Sequence, residues 1–330
     1  PRLDGIPVSL FINKHNIYAI NTKKDAIYQT SDSEIHISKV KSKLVLNGKN
    51  GKKIKLDAIN NPKEPGLILF TPNYSRSTIS NNNTFEIVVR DNKVSEINQN
   101  GNNIIPENGF VISAEQIKLP KGISDLKIGD IISYEIKLYE DSKKLERQTI
   151  NWMLSGSDIM IKNGKILPGI IDKSNKSNFR DLEHARTAFC KLANGKYAAY
   201  IVDHNPSLKP YDITIRELVS PLKKTGVSRE EAMAMPAGKL LQIYTDLNKS
   251  NDFSIGISLL KLANFMQQDG CLDAINLDGG GSSTLVVENK IVNTPAGIQN
   301  KFIDGKNIRG VSDIFIIRWY KAPRDFLSPR

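Results

Sequence analysis

The sequence predicts an α+β fold with a mixed β-sheet core, a β-rich N-terminal third and helices inserted before a glycine-rich strand-turn segment. Three observations predict it. From Pro1 to about Ala114, short β-branched and aromatic runs are broken by Asn, Gly, Lys and Pro, a pattern typical of strands and turns. Residues 214–268 show mixed helical spacing, and an apolar run then leads into three successive glycines.

The composition is that of an ordinary folded protein. The chain has 330 residues, of which 39% are hydrophobic and 25% charged, so it can bury a substantial core. These fractions exclude disordered, collagen-like and disulfide-framework proteins. Every apolar run is too short for a membrane-spanning helix. Because the chain starts at Pro1 without an initiator Met, we expect a trimmed chain whose targeting segment lies outside it.

The charge balance points to an anionic partner. Lys and Arg number 46 against 35 Asp and Glu, which gives a net charge of +11. Such a charge fits a polyanion, an anionic envelope or an anionic substrate. Lysines cluster between Lys39 and Lys55, where they alternate with Val, Leu and Ile. We interpret them as a solvated strand face rather than a nucleic-acid stripe, since no aromatic platform accompanies them, and we expect no nucleic-acid partner.

The first third contains six predicted strands separated by Asn-Gly turns and similar turn signals. They are Val8–Ile12, Ile17–Ile20, Lys43–Leu46, Leu67–Phe70, Phe85–Val89 and Phe110–Ser113. A strand pair is predicted over residues 131–147, followed by strand-like residues 152–161 and a turn at Asn163-Gly164. Thr187–Leu192 and Tyr197–Val202 form a predicted β-hairpin around Asn194-Gly195.

One helix is sharply defined. Leu259, Leu262, Ala263 and Met266 share a helical face, Ser258 can cap the start and Gly270 can end it. A short strand, Leu272–Leu277, follows, then strand-like residues 284–287 and 291–293, and a closing strand, Val311–Trp319.

The two cysteines are Cys190 and Cys271. No Cys-x-x-Cys metal spacing occurs, and a protein of this size does not need a single bridge. The sequence therefore favours free thiols, with a disulfide as the alternative.

The sharpest chemical signal is the segment AINLDGGGSSTL, Ala274–Leu285. Three glycines remove every Cβ from a turn, so that backbone amides can approach an oxyanion, and neighbouring serine hydroxyls add donors. An acidic residue, Asp278, precedes them at the end of the strand. The alternative is a purely structural tight turn, which would need glycine only for its positive φ. The flanking Asp and the Ser pair favour a binding site instead. The pattern is neither a Walker loop nor GxGxxG.

A second signal lies at the mouth of the predicted hairpin. Arg186 offers a planar fork of donors for phosphate or carboxylate, and Thr187 adds a hydroxyl. The hairpin returns at Asp203 and His204, so we expect an acid and a histidine near the edge that Arg186 occupies. Read alone, an arginine in this position is more often a surface or paired arginine than a binding residue.

These motifs resemble the phosphodiester glycosidase family, which includes bacterial exopolysaccharide-related homologues, and they occur in the family's order from about Gly66 to Ile317. They are GLILFTP at Gly66–Pro72, PENGFVIS at Pro106–Ser113, HARTA at His184–Ala188, IVD at Ile201–Asp203, Gly256 and Ser258 at the helix entry, AINLDGGGSSTL, VNTP at Val292–Pro295, and Arg309.

The resemblance implies one active site. The residues that it brings together are Arg186, Thr187, Asp203, Asp278, Gly279, Gly280, Gly281, Ser282, Ser283, Asn293 and Arg309. It also implies a β-rich N-terminal part over residues 1–115, a phosphodiester glycosidase-like catalytic part over residues 116–319, continuous with the first, and a tail over residues 320–330. An insertion over residues 205–252 is expected to edge the cleft and to influence the choice of substrate.

The expected chemistry is cleavage of a sugar C1–O bond whose leaving group is a phosphate monoester. Because that phosphate leaves as a stable anion, the enzyme must mainly stabilise its charge and supply a carboxylate that attacks or activates water. Arg186, Arg309 and the amides of Gly279–Gly281 suit the first task, and Asp203 and Asp278 suit the second. The sequence does not decide which aspartate is the nucleophile or base. It also does not decide whether the reaction retains or inverts the configuration at the sugar C1.

Two histidines leave open whether the predicted site binds a metal ion. His184 and His204 could bind substrate or, with the aspartates, a divalent cation, but they lack HExxH-like spacing. No cofactor is certain from the sequence.

The expected function is hydrolysis of a glycosyl 1-phosphodiester, such as an N-acetylglucosamine-1-phospho-sugar or an envelope polymer. High Asn, Lys and Ile content suggests a bacterial origin, and we expect a secreted, periplasmic or envelope location. The alternative is a non-catalytic module that binds phosphorylated carbohydrate or an envelope glycan. The oligomeric state stays open.

Overall fold

The computed structural model describes most of the chain. It covers residues 7, 9–20, 23–62, 64–115, 119–171, 178–204, 256–293, 295–296, 302–303, 306–307 and 314–316. The predicted insertion over residues 205–252 lies outside the described residues, as does Arg309. Of the predicted closing strand, Val311–Trp319, only residues 314–316 are described, and they are not in a strand.

The first sheet has eight strands in the order β12-β11-β4-β3-β13-β1-β2, with β5 also paired to β4. Its strands are β1 (Phe11–Asn13), β2 (Asn16–Ala19), β3 (Lys23–Thr30), β4 (Ile35–Asn47), β5 (Lys53–Leu56), β11 (Ser133–Glu140), β12 (Lys143–Leu145) and β13 (Ile150–Ser155). All pairs in this sheet are antiparallel. Strands from both sides of residue 115 therefore pair with each other.

The second sheet has five strands in the order β6-β7-β10-β8-β9. They are β6 (Ala58–Ile59), β7 (Ile68–Phe70), β8 (Thr84–Arg90), β9 (Lys93–Asn98) and β10 (Gly109–Glu115). The pair β6 and β7 is parallel, and the other pairs are antiparallel. Apolar side chains of the first two sheets, such as Val40 and Leu44 on β4 and Ile87 and Val89 on β8, share one buried cluster. This cluster is the main core.

The third sheet carries the residues that the motifs singled out. Its order is β15-β14-β18-β16-β17, and every pair in it is antiparallel. Its strands are β14 (Asp158–Lys162), β15 (Lys165–Ile166), β16 (Arg186–Leu192), β17 (Tyr197–Val202) and β18 (Cys271–Asn276). Two short hairpins complete the described strands: β19 (Val286–Val287) with β20 (Lys290–Ile291), and β21 (Phe302–Ile303) with β22 (Lys306–Asn307).

Four helices are described: α1 (Lys121–Ser124), α2 (Pro168–Ile171), α3 (Asn178–Asp181) and α4 (Leu259–Gln268). Helix α4 confirms the prediction. The Ser258 side chain accepts a hydrogen bond from the amide of Lys261, and Gly270 has a φ of 89° just beyond the helix. Its predicted apolar face packs against the third sheet, where Leu259, Leu262 and Met266 join a second buried cluster.

The fold-class prediction is partly confirmed. The β-rich first third is present, and its six predicted strands overlap β1, β2, β4, β7, β8 and β10. The described structure is, however, mostly β rather than an even α+β mixture, and its sheets are antiparallel apart from the β6–β7 pair. The helices expected over residues 214–248 lie outside the described residues.

The thiol prediction is wrong, because Cys190 and Cys271 form a disulfide with Cα atoms 5.8 Å apart. The two cysteines lie on neighbouring strands, β16 and β18, at positions 81 residues apart in sequence. The pairing needs the sheet register, which the spacing of the cysteines does not reveal. In the described part of the chain, no helix combines the length and the apolar character needed to cross a membrane.

Candidate active site

The edge of the third sheet gathers three strand ends. Strand β16 starts at Arg186, whose register partner is Val202, the last residue of β17. Strand β18 ends at Asn276, which stands opposite Ala188. Because these strands are antiparallel, the residues that follow β17 and β18 emerge beside the start of β16. The predicted edge thus collects Asp203 and the glycine-rich turn next to Arg186.

The turn after β18 is stabilised by its own aspartate. One carboxylate oxygen of Asp278 accepts the amide of Gly279 at 3.0 Å, and the other accepts the hydroxyl of Ser282 at 2.6 Å. A 3-10 turn covers Gly280–Ser282, which includes Gly281. Asp278 therefore ties the start of the turn to Ser282, a local side-chain bonding pattern typical of Asp in turns.

Two of the glycines are required by close approach and by backbone conformation. A Cβ on Gly279 would lie 2.7 Å from the carbonyl oxygen of Ala185, closer than real Cβ contacts allow. Gly280 has a φ of 60° and donates its amide to that same carbonyl at 2.9 Å. A Cβ on Gly280 would meet no described residue within 4 Å. The amides of Gly279 and Gly280 thus shape the turn in this structure, and their contact with phosphate stays a prediction.

Thr187 connects the turn to the strand beside it. Its hydroxyl donates to the hydroxyl of Ser283 at 3.0 Å, and its carbonyl accepts the amide of Leu277 at 2.8 Å. Ser283 is fully buried. The pair fixes the far end of the turn against β16.

Asn293 joins Asp203 to the same turn. Its side-chain amide donates to Asp203 Oδ1 at 2.7 Å and to the carbonyl of Ser283 at 2.8 Å. Its own oxygen accepts the amide of Leu285 at 2.7 Å. The sequence prediction placed Asn293 among substrate-binding residues; the structure shows it holding a carboxylate and two backbone groups.

Arg186 is completely buried. Its Nε donates to the carbonyl of Ile257 at 3.0 Å and its Nη2 to the carbonyl of Leu182 at 3.1 Å. Burial lowers the pKa of Arg186 to about 10, with the charge of Asp158 opposing the shift, so the guanidinium stays a cation at neutral pH. It places a buried positive charge at the start of β16 and holds the carbonyls of Ile257 and Leu182.

The two histidines lie near each other, with ring centroids 6.5 Å apart. His184 also pairs through its backbone with Ile257, and a Cβ on Gly256 would lie 2.5 Å from the His184 carbonyl. Glycine is thus required at position 256, before helix α4, because its backbone lies so close to that of His184. Among the described residues, no group of three or more His, Cys, Asp or Glu side chains is placed to hold a metal ion.

Two charged residues at this edge were not found by sequence reasoning. Asp158 stands opposite Asn276 at the start of β14, and Arg180 Nη2 donates to its Oδ1 at 2.6 Å. Arg180 also donates to the carbonyl of Gly169 at 3.3 Å. The only signal was the Gly156-Ser157 turn before β14, which gives no indication of the strand that pairs with it.

Hydrogen bonds therefore link much of the predicted site. The linked residues are Thr187, Asp203, Asp278, Gly279, Ser282, Ser283 and Asn293. Arg186 is buried at the start of β16, and Arg309 lies outside the described residues. The roles predicted for all of these residues stay predictions.

Comparison with known proteins identifies a relative and a family match. An uncharacterised protein of Rickettsia conorii is 21% identical over 271 residues, which cover 80% of this chain and 91% of that protein. Residues 232–318 match the family model of phosphodiester glycosidases.

Two solved structures share the fold. A hypothetical protein from Synechocystis aligns with a TM-score of 0.63 and 16% identity, over 88% of this chain and 46% of that one. A Burkholderia pseudomallei K96243 protein, inferred to be exported, aligns with a TM-score of 0.63 and 14% identity, over 92% of this chain and 60% of that one. The chain thus spans only about half of the length of these proteins. The resemblance to the phosphodiester glycosidase family that the motifs indicate is confirmed by the match over residues 232–318.

Proposed function

We propose that this protein hydrolyses glycosyl 1-phosphodiesters. The family match over residues 232–318 supports the reaction class. The observation that carries the proposal is the bridge by Asn293, which binds Asp203 and the Ser283 carbonyl with one amide group. That bridge holds a carboxylate beside a glycine-rich turn, the two components that the reaction requires.

The two aspartates take different roles in this proposal. Asp278 uses both carboxylate oxygens inside the turn, for Gly279 and Ser282, so its main role is to shape the site. Asp203 is held from the side by Asn293 and is the carboxylate that attacks the sugar carbon or activates water. Misplacement of such a group by about 1 Å costs a large part of the rate, on the order of a hundredfold.

Arg186 supplies charge rather than a direct clamp. Its Nε and Nη2 donate to backbone carbonyls, and the whole residue is buried. In a low-dielectric setting, a buried cation stabilises negative charge that develops nearby more strongly than it would in water. We place the departing phosphate over Gly280, where an added Cβ would meet no described residue within 4 Å and whose amide binds the carbonyl of Ala185, the residue before Arg186.

The substrate class follows from the leaving group. We propose a sugar, such as N-acetylglucosamine, joined through phosphate to another sugar or to an envelope polymer. Two observations support an extracytoplasmic location: the disulfide between Cys190 and Cys271, and the fold shared with a protein inferred to be exported. The insertion over residues 205–252 remains the proposed determinant of which sugar is accepted.

The test is turnover of a panel of soluble sugar 1-phosphodiesters, with release of phosphate monoester followed by 31P NMR. We expect wild type and the control Asp125→Asn, an exposed change at the end of α1, to be active. Asp203→Asn should lower kcat at least about a hundredfold. Asp278→Asn should lower activity together with the Tm, since it loosens the turn.

Two results would contradict the proposal. Full activity of Asp203→Asn would remove that carboxylate from the mechanism. Binding of the panel without turnover by folded wild-type protein would instead support the alternative function, a module that binds phosphorylated carbohydrate.

A further inference from the structure

One face of the first sheet carries a dense group of lysines. Along β4, Val40, Ser42, Leu44 and Leu46 are buried in the core, whereas Lys39, Lys41 and Lys43 are exposed on the opposite face. Strand β4 is central in its sheet, between β3 and β11. These lysines therefore occupy the middle of a broad surface.

The neighbouring strands add lysines to the same face. In the register, Lys137 on β11 stands opposite Lys43, Lys55 on β5 opposite Val45, and Lys53 opposite Asn47. Residues directly opposite each other in an antiparallel pair share a face. We call the resulting surface the basic face; its members are Lys39, Lys41, Lys43, Lys53, Lys55 and Lys137.

This arrangement costs stability. Lys43 on β4 stands directly opposite Lys137 on β11. Like charges at directly opposite positions destabilise a sheet, by about 0.2 to 1 kcal/mol for a pair. A face that served only solubility would interleave both signs of charge and avoid this cost.

The acidic groups that face the lysines neutralise only some of them. Lys39 pairs with Asp25 at 3.3 Å, Lys55 with Asp57 at 3.3 Å and Lys137 with Glu135 at 3.1 Å.

The other members of the basic face keep their charge available. Across the residues that the structure describes, Lys41, Lys43 and Lys53 make no ion pair. The Nζ of Lys43 lies 5.4 Å from the ring centroid of Tyr139, which holds the ammonium group at the surface without cancelling its charge. The basic face is therefore positive overall.

We propose that the basic face binds an anionic polymer of sugar or polyol phosphates, the same polymer that carries the phosphodiester bond cleaved at the active site. The inference rests on the proposed function for the identity of the polymer. Alternate residues along a strand are about 6.6 Å apart and neighbouring strands about 4.8 Å apart, so the ammonium groups form a regular grid. Such a grid fits an extended chain whose phosphates recur at short intervals.

The residue types favour this partner over a nucleic acid. Every cation of the basic face is a lysine, a point charge that attracts phosphate without the planar fork that reads base edges. Base stacking would require exposed aromatic rings, and within the described part of this face Tyr139 is already covered by Lys43. A flexible phosphate polymer needs neither feature.

The experiment measures binding of a fluorescently labelled poly(glycerol phosphate) of defined length by anisotropy, over a series of salt concentrations. We expect Lys41→Gln/Lys43→Gln to raise Kd about tenfold at low salt and to reduce the salt slope by about 1 to 2, since two phosphate contacts are lost. The control Lys165→Gln/Lys196→Gln removes the same charge from exposed positions on the third sheet and should bind like wild type. The Tm of each variant verifies that it is folded.

The outcomes separate this inference from the proposed function. Turnover of a small, soluble sugar phosphodiester should be the same in wild type and in both double variants. A protein that cleaves the small substrate but does not bind the polymer overturns this inference alone. Equal losses of binding in both double variants overturn it as well, as does equal or tighter binding of single-stranded DNA with the same number of phosphates. Polymer binding by a protein that does not cleave the small sugar phosphodiester overturns only the proposed function.

Discussion

The side-chain amide of Asn293 donates to Asp203 Oδ1 at 2.7 Å and so joins two segments that are 90 residues apart. The same nitrogen donates to the carbonyl of Ser283 at 2.8 Å. A hydrogen bond to a charged acceptor is among the stronger ones in proteins, and here it fixes a carboxylate against the turn. Asn293 is therefore a positioning residue in our account.

Removing this bond should lower the rate more than substrate affinity. We expect Asn293→Ala to decrease kcat at least about tenfold with little change in KM, because Asp203 loses its orientation while the turn remains. Asn293→Asp should be worse, since a second carboxylate would face Asp203. Steady-state kinetics on a sugar phosphodiester measure both effects.

The matched control is Asn264→Ala, which removes an asparagine that bonds only to the backbone of α4. That variant should keep its kcat. If Asn293→Ala raises KM and leaves kcat intact, then Asn293 binds substrate and does not position Asp203.

The open space over Gly280 gives a second prediction. Gly280 and Gly195 both have positive φ, at 60° and 79°, and in both cases an added Cβ would meet no residue of the described ranges within 4 Å. Alanine should therefore destabilise the fold to a similar extent at either position, by about 1 kcal/mol. Only Gly280→Ala should also lose activity, because its methyl group would occupy the proposed phosphate position. Melting curves and turnover of Gly280→Ala and Gly195→Ala, measured side by side, test this prediction. Equal activity in the two variants would mean that the phosphate does not bind over Gly280.

Arg186 gives a third prediction, which depends on the substrate. Arg186→Gln should lower kcat/KM strongly on a sugar phosphodiester, because charge grows on the leaving phosphate and the substitution removes the buried cation that stabilises it. On an aryl glycoside of the same sugar, wild type should be slow and the substitution should matter little. The Tm should fall as well, since Nε and Nη2 hold the carbonyls of Ile257 and Leu182. Equal losses on the two substrates would show that Arg186 supports only the fold or grips the sugar.

The disulfide gives a fourth prediction. Cys190 and Cys271 are separated by 81 residues, a loop for which the chain-entropy relation gives about 4 kcal/mol of stabilisation. A reducing agent should therefore lower the Tm by roughly 6 °C for a protein of this size. The double variant Cys190→Ala/Cys271→Ala should melt low with or without reductant. A wild-type Tm that does not respond to reductant under unfolding conditions would mean that the thiols are free.

Local patterns predicted the parts of the fold that local physics determines. The sequence predicts the cap at Ser258, the helix end at Gly270 and the hairpin around Asn194-Gly195, because each depends on a few neighbouring residues. The glycine-rich turn after β18 was readable for the same reason.

Features that depend on strand order could not be predicted from the sequence. The Cys190–Cys271 bridge needs β16 and β18 to be neighbours, and the position of Asp158 needs β14 to pair with β18. The contact between Asn293 and Asp203 likewise depends on how two segments distant in sequence meet. The family resemblance placed both residues at the site but did not indicate which one holds the other.

Hydrolysis of a sugar phosphodiester in 18O-labelled water shows which bond is broken, and the proposed reaction requires it to be the sugar C1–O bond. We predict that wild-type protein places the label on the sugar hydroxyl and none on the phosphate, and that Asp203→Asn loses this incorporation. Label on the released phosphate would contradict the account, because it would mean that water attacks phosphorus and that the site is a phosphodiesterase.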